Sequence, residues 1–422
     1  MDRIPDSGRL AQVAQELRSE LCSSGELAGD WIRRGATLLV EQMLAAEVDE
    51  ALGRGSYQRR GDGQAGYRNG YKERSLSTAE GKLPVKLPQV READPPYRSA
   101  IWQALGKRSA ALKKLAVEMY ARGLSTRDIE ELLGELCDGP EDQTLLSRSG
   151  VSRVTEALWE EYEAFSKRDL SGFDVVYLFC DAVYESLRQQ GCCRQAILVT
   201  WGVCSDGSKV LLHMSLGNKE SSESWLEHFR SLVSRNLPTP LTATTDGAPG
   251  LIKAVEAMWP EAERIRCWFH KMKNVLEKVP DDMHETIKRL LQDVRDAPDH
   301  ETGKRRAAAL IERYQRELPS AMACLAEDLE ASLNHLKLPS LHQRMIRTTN
   351  LCERSFVEER RRTKVIPRFF DEKSCLKLVF ATLWRASQRW RNVTFTAIEK
   401  KQLDAYIRVR QAMGKKVREI AA

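Results

Sequence analysis

Two acids stand where apolar runs end: Asp181 after VVYLFC and Asp246 after LTATT. A lone acid beside an apolar run is usually a cap or a turn residue. The Asp-Gly pair at Asp246 reads as such a turn, with Ala248 and Pro249 starting the next helix. Two acids on neighbouring strands are less easily explained that way, because bringing carboxylates together costs Coulomb repulsion that a bound divalent cation removes. Hard oxygen ligands at few protein positions suit Mg²⁺ or Mn²⁺, which keep water and substrate phosphate in their remaining positions. Two such ions, about 3.5–4 Å apart, activate a water or hydroxyl and stabilise the leaving oxygen in phosphodiester chemistry.

A third acid is supplied by TTNLCERSFVEERRRTKVIPRF, residues 348 to 369, whose pattern predicts one helix. Asn350, Glu353, Val357, Arg360, Arg361 and Lys364 then share a face, and Glu358 and Glu359 point well away from Glu353. A carboxylate followed along one face by cations suits a metal-bound phosphate with a DNA backbone running past it. On spacing alone, an ordinary charged solvent face with helix salt bridges accounts for the same residues. The run Arg360, Arg361, Arg362 and Lys364 also reads as a plain electrostatic patch.

The elements that must position these acids begin near Phe173. The strands VVYLFCDAVY, RQAILVTWGVC and KVLLHMSLG, joined by short polar turns, predict an antiparallel meander. The helix SSESWLEHFRSLVSR, the strand LTATTDG, the helix APGLIKAVEAMW and the strand ERIRCWF follow. Three antiparallel strands continued by strand-helix-strand units is the order of the ribonuclease-H-like fold. Residues 272–346 read as almost wholly helical and polar. The predicted class is therefore α/β plus α. A ribonuclease-H-like mixed-sheet catalytic domain spans 171–271 and 347–400, interrupted by a helical insertion over 272–346 and followed by a helical tail over 401–422.

Upstream, residues 26 to 52 carry Ile32, Ala36, Leu39, Met43 and Ala46 at alternating spacings of four and three. This seam predicts a helix packed on its own domain, with a dimerisation helix as the sharper alternative. Gly53 to Arg74 then turns basic, with Arg54, Arg59, Arg60, Arg68, Lys72 and Arg74 against Asp62 and Glu73, interleaved with tyrosines and glycines. Such a stretch is either a solvated loop or a place where phosphates are held. GKLPVKLPQV predicts a short strand limited by prolines. Residues 110–167 are helical: Gly123 turns the chain, Ser125 and Asp128 stand in capping-box register, and Arg127 lies in the helix they open. Arg148 and Arg153 fall near the start of a further helix, where a recognition helix presents its base-contacting side chains. A mainly helical DNA-binding and possible dimerisation region is thus expected over 1–105, and helix-turn-helix-like helices over 106–170.

At 422 residues and 42 % hydrophobic, the chain is long enough for two or three domains. No stretch approaches the length of a membrane span, and the polar start MDRIPDSGRL lacks a signal-peptide core. The expected setting is the cytoplasm, with no membrane partner. Ten scattered cysteines without paired C-x-x-C knuckles fit free thiols. A net charge of +6 merely permits an anionic partner.

CDAVYESLR, SSESW, TTDGAPGL, RCWFHKMKNV and TTNLCERSFVEERRRTK, with YRNGY and GLSTRDI upstream, together resemble the Mutator-type family of bacterial insertion-sequence transposases. The resemblance runs in order from about residue 30 to 385. It implies a DDE transposase in which Asp181, Asp246 and Glu353 hold two Mg²⁺ or Mn²⁺ ions, and it explains the long gap before Glu353 by a helical insertion. By motif, Arg188 closes the first block, Trp225 is the aromatic of the second, and Cys267 and His270 lie between the second and third acids. A C-x-x-H pair supplies half a zinc site, so Cys267 and His270 are read as shaping the active site or contacting DNA. Lys271 and Lys273 beside them are expected on the DNA. For Trp225, core packing competes with DNA contact. Glu185, on the strand face of Asp181, is a further carboxylate to which the family pattern gives no role.

The expected partners are double-stranded DNA, as terminal inverted repeats and target, and a second copy of the chain, because two ends must be synapsed. A nuclease of the same fold without strand transfer, and a non-catalytic DNA-binding protein, are the alternatives.

Overall fold

The computed structural model describes residue 15 and residues 28–56, 58–59, 61, 66–135, 144–188, 194–217, 221–364 and 366–421. The chain divides into two compact units, residues 1–157 and 158–422.

In the first unit, helix α1 (Ala28–Leu52) lies on an antiparallel hairpin of β1 (Tyr67–Thr78) and β2 (Gly81–Arg91). Leu44 packs with Leu76, Leu83 and Val85. The inward stripe is Leu44, Val48 and Leu52, whereas Ile32, Leu39 and Met43 of the expected seam are exposed, Leu39 to 64 %. The run LLVEQML places apolar residues on adjacent stripes, so spacing alone does not choose which one packs. Tyr67 to Arg74, which had the composition of a basic loop, is the outer half of β1, with Arg74 paired to Val85. Burial in that strand begins only at Leu76, which is why no alternation marks its outer half.

Helices α2 (Ala100–Leu105), α3 (Ala110–Ala121), α4 (Thr126–Glu135) and α5 (Arg148–Val154) follow. Leu112, Ile129, Leu133, Leu146 and Val151 form the core shared by α3, α4 and α5. The reciprocal cap forms as its spacing predicts: Ser125 N donates to Asp128 Oδ2 at 2.9 Å, and Asp128 N to Ser125 Oγ at 3.1 Å. The helix expected to run on through Arg153 instead breaks after Val154. Its continuation, α6 (Ala157–Lys167), buries Leu158, Tyr162 and Phe165 in the second unit, where the Tyr162 hydroxyl donates to the Met214 carbonyl at 3.2 Å.

The second unit is built on a five-stranded mixed sheet in the order β5-β4-β3-β6-β7. Strands β3 (Val175–Ser186), β4 (Arg194–Cys204) and β5 (Lys209–Gly217) are antiparallel, and β6 (Thr242–Thr245) and β7 (Glu263–Arg266) run parallel to β3. This is the predicted sequence of a meander followed by strand-helix-strand. Helices α7 (Ser222–Ser234) and α8 (Pro249–Met258) cover one face, where Leu178 and Cys180 of β3 meet Trp225, Phe229, Leu251 and Val255. Trp225 is thereby a core residue with no exposed surface.

Beyond β7, helices α9 (Trp268–Leu276), α10 (His284–Arg295), α11 (His300–Tyr314), α12 (Pro319–Ala326), α13 (Leu329–Leu333) and α14 (Ser340–Ile346) enclose a separate core of Trp268, Val275, Ile287, Leu291, Leu310 and Leu325. Helix α15 (Asn350–Thr363) returns to the sheet and packs on β3 and β4, followed by α16 (Glu372–Ser387) and α17 (Ala397–Ala421). No helix among the described residues is long and apolar enough to cross a membrane.

Candidate active site

The acids are placed by strand register. Cys180 pairs with Thr245 and Thr245 with Arg266, so Asp181, Asp246 and Cys267 each follow a paired residue on three adjacent parallel strands. Neighbouring strands lie about 4.8 Å apart. Asp181 is not at a strand end as expected: β3 runs on to Ser186 against β4. In the middle of β3 the even-numbered Leu178, Cys180 and Ala182 pack in the core under α7 and α8. The odd-numbered set faces the other way, where the Tyr177 hydroxyl meets His342 Nδ1 at 2.7 Å. Thr244 of β6 also faces that side, donating to the Ile346 carbonyl at 2.8 Å. By the same alternation, Asp181 and Asp246 belong to the face that α14 and α15 cover.

Asp181 is 7 % exposed. Its Oδ1 accepts from Ala182 N at 2.9 Å, while Oδ2 is buried with no hydrogen-bond partner among the described residues. Burial, then the charge of Asp246, pushes the Asp181 carboxyl well above the usual carboxylate range against the opposing effect of His270. Asp246 does make the turn its sequence predicted, accepting from Ala248 N at 2.9 Å. Gly247, at φ 92°, completes that turn. A Cβ there would lie 0.4 Å from Arg266 Nη1, so the guanidinium occupies the space beside the turn. Arg266 is 8 % exposed, and its Nε has no partner among the described residues.

Glu353 stands in the first turn of α15, and that helix is fastened to the start of α9. Trp268 N donates to the Arg347 carbonyl at 2.9 Å, and Thr349 donates to Cys267 Sγ from its amide at 3.3 Å and its hydroxyl at 3.5 Å. Cys267 thus holds the residue that precedes the helix carrying Glu353. Glu353 Oε1 lies 3.8 Å from His270 Nε2, and Oε2 lies 3.7 Å from Arg360 Nη2. The adjacent Cys267 side chain, and then the charges of Asp181 and Asp246, hold the His270 imidazole up to about 9 despite its burial. Burial works to raise the Cys267 thiol, but the hydrogen bond and charge of His270 outweigh it and the thiol is lowered. Asp181, Asp246, Glu353, Cys267 and His270 therefore form one electrostatic cluster. As they stand, no three His, Cys, Asp or Glu side chains among the described residues close around a point where a metal ion would sit.

Other expected site residues scatter. Asn350 is exposed at the first position of α15. Arg188 is exposed in the turn that follows β3, seven residues beyond Asp181. Its backbone N–H donates to the Phe369 carbonyl at 2.9 Å. Lys271 is not on the surface but 2 % exposed, its ammonium donating to the carbonyls of Cys324 and Glu327. Lys273 is exposed. On α15, Arg360 and Lys364 are exposed, while Arg361 and Arg362 pair with Glu358 at 2.6 and 2.8 Å.

In the first unit, Arg59, Lys72, Arg127 and Arg153 are exposed. Arg148 is exposed but paired with Glu130 at 3.1 Å. Arg68 ties β1 to α1 through Asp49 and the Arg54 carbonyl, so its charge is engaged within the unit. Arg60 lies outside the described residues.

Glu185 is four residues, about 13 Å, along β3 from Asp181 and faces Glu359 of α15 instead. Glu359 is fully buried, and burial together with Glu185 holds its carboxyl up to about 9. Sequence reasoning missed both Arg266 and this buried carboxyl. Glu359 carried a signal, since it falls seven residues after the buried Cys352 on the inward face of α15. Arg266 carried none.

A family profile described as Transposase, Mutator family, matches residues 10–393. The transposase for insertion sequence element ISRM5 of Rhizobium meliloti is 30 % identical over 362 residues, covering 86 % of this chain and 89 % of that protein. The transposase for IS6120 of Mycolicibacterium smegmatis is 34 % identical over 281 residues, 65 % of this chain and 84 % of that one. The transposase for IS256 in transposon Tn4001 of Staphylococcus aureus is 27 % identical over 387 residues, 90 % of this chain and 97 % of its own. With the match spanning both units, the chain belongs to the Mutator family of transposases.

Proposed function

We propose that this transposase binds the terminal inverted repeats of its element, cleaves the element ends and joins them to target DNA at a ribonuclease-H-like site formed by Asp181, Asp246 and Glu353. The observation that carries the proposal is the register that sets Asp181 beside Asp246, with Glu353 brought to the same cluster through His270. The strand order, three antiparallel strands and two parallel ones, supports the fold assignment.

The donor set suits a hard divalent cation. It offers carboxylate oxygens, one of them a buried orphan on Asp181, and two like charges whose repulsion a cation would relieve. Asp181, Asp246 and Glu353 are the residues that would hold Mg²⁺ or Mn²⁺. Two such ions, when bound, would activate the attacking oxygen and stabilise the leaving one. The protein's own part is positional: the sheet fixes two acids, Cys267 holds the residue that precedes the helix bearing the third, and His270 and Arg360 place positive charge where a phosphate would meet Glu353. The exposed Lys72, Arg127 and Arg153 give the first unit a role in holding DNA phosphates. The exposed Ile32, Leu39 and Met43 on α1 support a homodimer through that helix.

The test is to incubate the protein with labelled duplex carrying one element end, target DNA and Mg²⁺. Joined products are expected. Hydrolysis at the end without joining would assign the protein to nucleases instead.

A further inference from the structure

A cavity of about 590 Å³ opens between α9, α10 and the segment leading into α15. Phe269, Met272 and Leu276 line it from α9, at spacings of three and four that put them on one helix face. The Phe269 ring is 57 % exposed and stands edge-on to His270, centroid to centroid 5.4 Å. Across from it are Thr348, whose buried hydroxyl has no hydrogen-bond partner among the described residues, and Asn350, one turn before Glu353. Lys273, Lys288 and Arg344 also line it, Lys273 lying 3.8 Å from Glu277 and Lys288 3.1 Å from Glu285, and Glu277 is the one acid among the described lining residues. Arg295 and Arg347 also line it and share Asp296.

We propose that this cavity receives one unstacked nucleobase of the DNA strand adjoining the scissile phosphate. The inference rests on the proposed function, since it takes the phosphate to lie at Asp181, Asp246 and Glu353. Position favours it: the lining Phe269 adjoins His270, which is 3.8 Å from Glu353, and the lining Asn350 stands one turn before Glu353 on the same helix. Size favours it, because the volume falls among sites for single small molecules, about 300–1,000 Å³, and is too small for a duplex. Chemistry favours it too. An aromatic ring and a thioether offer stacking surface to any base, the unpaired hydroxyl and the Asn350 amide can bond its edge, and the cations match the phosphates on either side.

The test uses full-length protein and end duplexes in which 2-aminopurine replaces, in turn, each nucleotide flanking the cut, with Ca²⁺ in place of Mg²⁺ to keep the strand whole. Wild type should raise the emission of one position about threefold or more as the base leaves the stack. At protein concentrations that saturate the duplex, Phe269→Ala should lose at least about half of that rise and cut about tenfold more slowly in Mg²⁺. Phe269→Tyr should retain both signals. An abasic site at the responding position should restore cutting by Phe269→Ala to within about twofold of wild type, because no base then needs a pocket. The proposal is overturned if no position responds to wild-type protein that cuts normally, or if Phe269→Ala keeps both the rise and the rate. Cutting by an Asp246→Asn protein would instead overturn the assignment of the acids, so the two failures are separable.

Discussion

Beside Asp246, Gly247 combines a φ of 92° with an arginine guanidinium lying where a side chain would begin. Left-handed backbone costs an L-residue about 1–2 kcal/mol, and a methyl group would also have to displace Arg266. Gly247→Ala should therefore lower the melting temperature and slow end cleavage by at least about tenfold, the rate for a site displaced by a fraction of an ångström. Calorimetry and single-turnover cutting would check both. Glu359 offers a pH-resolved test. Its carboxyl is raised from an ordinary 4.5 to about 9, so between those values the unfolded chain ionises it and the folded protein does not. Folding stability then falls as pH rises through that window. Glu359→Gln, which has no proton to lose, should match wild type below pH 4.5 and melt at least about 2 °C higher at pH 8. A constant difference across that range would show that Glu359 does not titrate in this way.

At the scale of elements, the strands were legible because β4 is buried almost throughout and β3 and β5 over most of their length, leaving long apolar runs bounded by turns. What sequence could not show is where a run stops mattering. Arg188 reads as the close of a catalytic motif, whereas β3 ends two residues before it, at Ser186, and its backbone N–H is held by the Phe369 carbonyl. Lys271 was within reach: three residues after Trp268 and four before Val275, it lies on the buried face of α9, and a lysine there must find carbonyls. Helix α1 posed the opposite problem, since two apolar stripes compete and only the hairpin's shape selects Leu44 and Val48. The rejected stripe is the basis of a prediction. If Ile32, Leu39 and Met43 meet a second copy, the double variant Leu39→Glu, Met43→Glu should run as a monomer in light scattering while its α1 stays folded by circular dichroism.

For the whole molecule, the modest net charge of +6 conceals uneven local distribution, with exposed cations in the first unit and along α15. Contacts of this kind bind phosphate without reading sequence, so Lys72→Ala and Arg127→Ala should each weaken binding to any duplex and reduce the salt slope by about 1. The order of motifs along the chain made the family legible, and the sheet shows why that order is kept: residues far apart in sequence meet only when β3, β6 and the helix after the insertion come together. The geometry of the orphaned Asp181 oxygen and the His270 pairing was beyond any sequence reading, because both depend on burial. The most direct measurement compares single-turnover cleavage of a labelled element end by wild type and Asp246→Asn in Mg²⁺, with end binding followed in parallel. Binding should persist while cleavage falls by at least about a thousandfold. Cleavage within about twofold of wild type would contradict the assignment of Asp246, and with it the three-acid site.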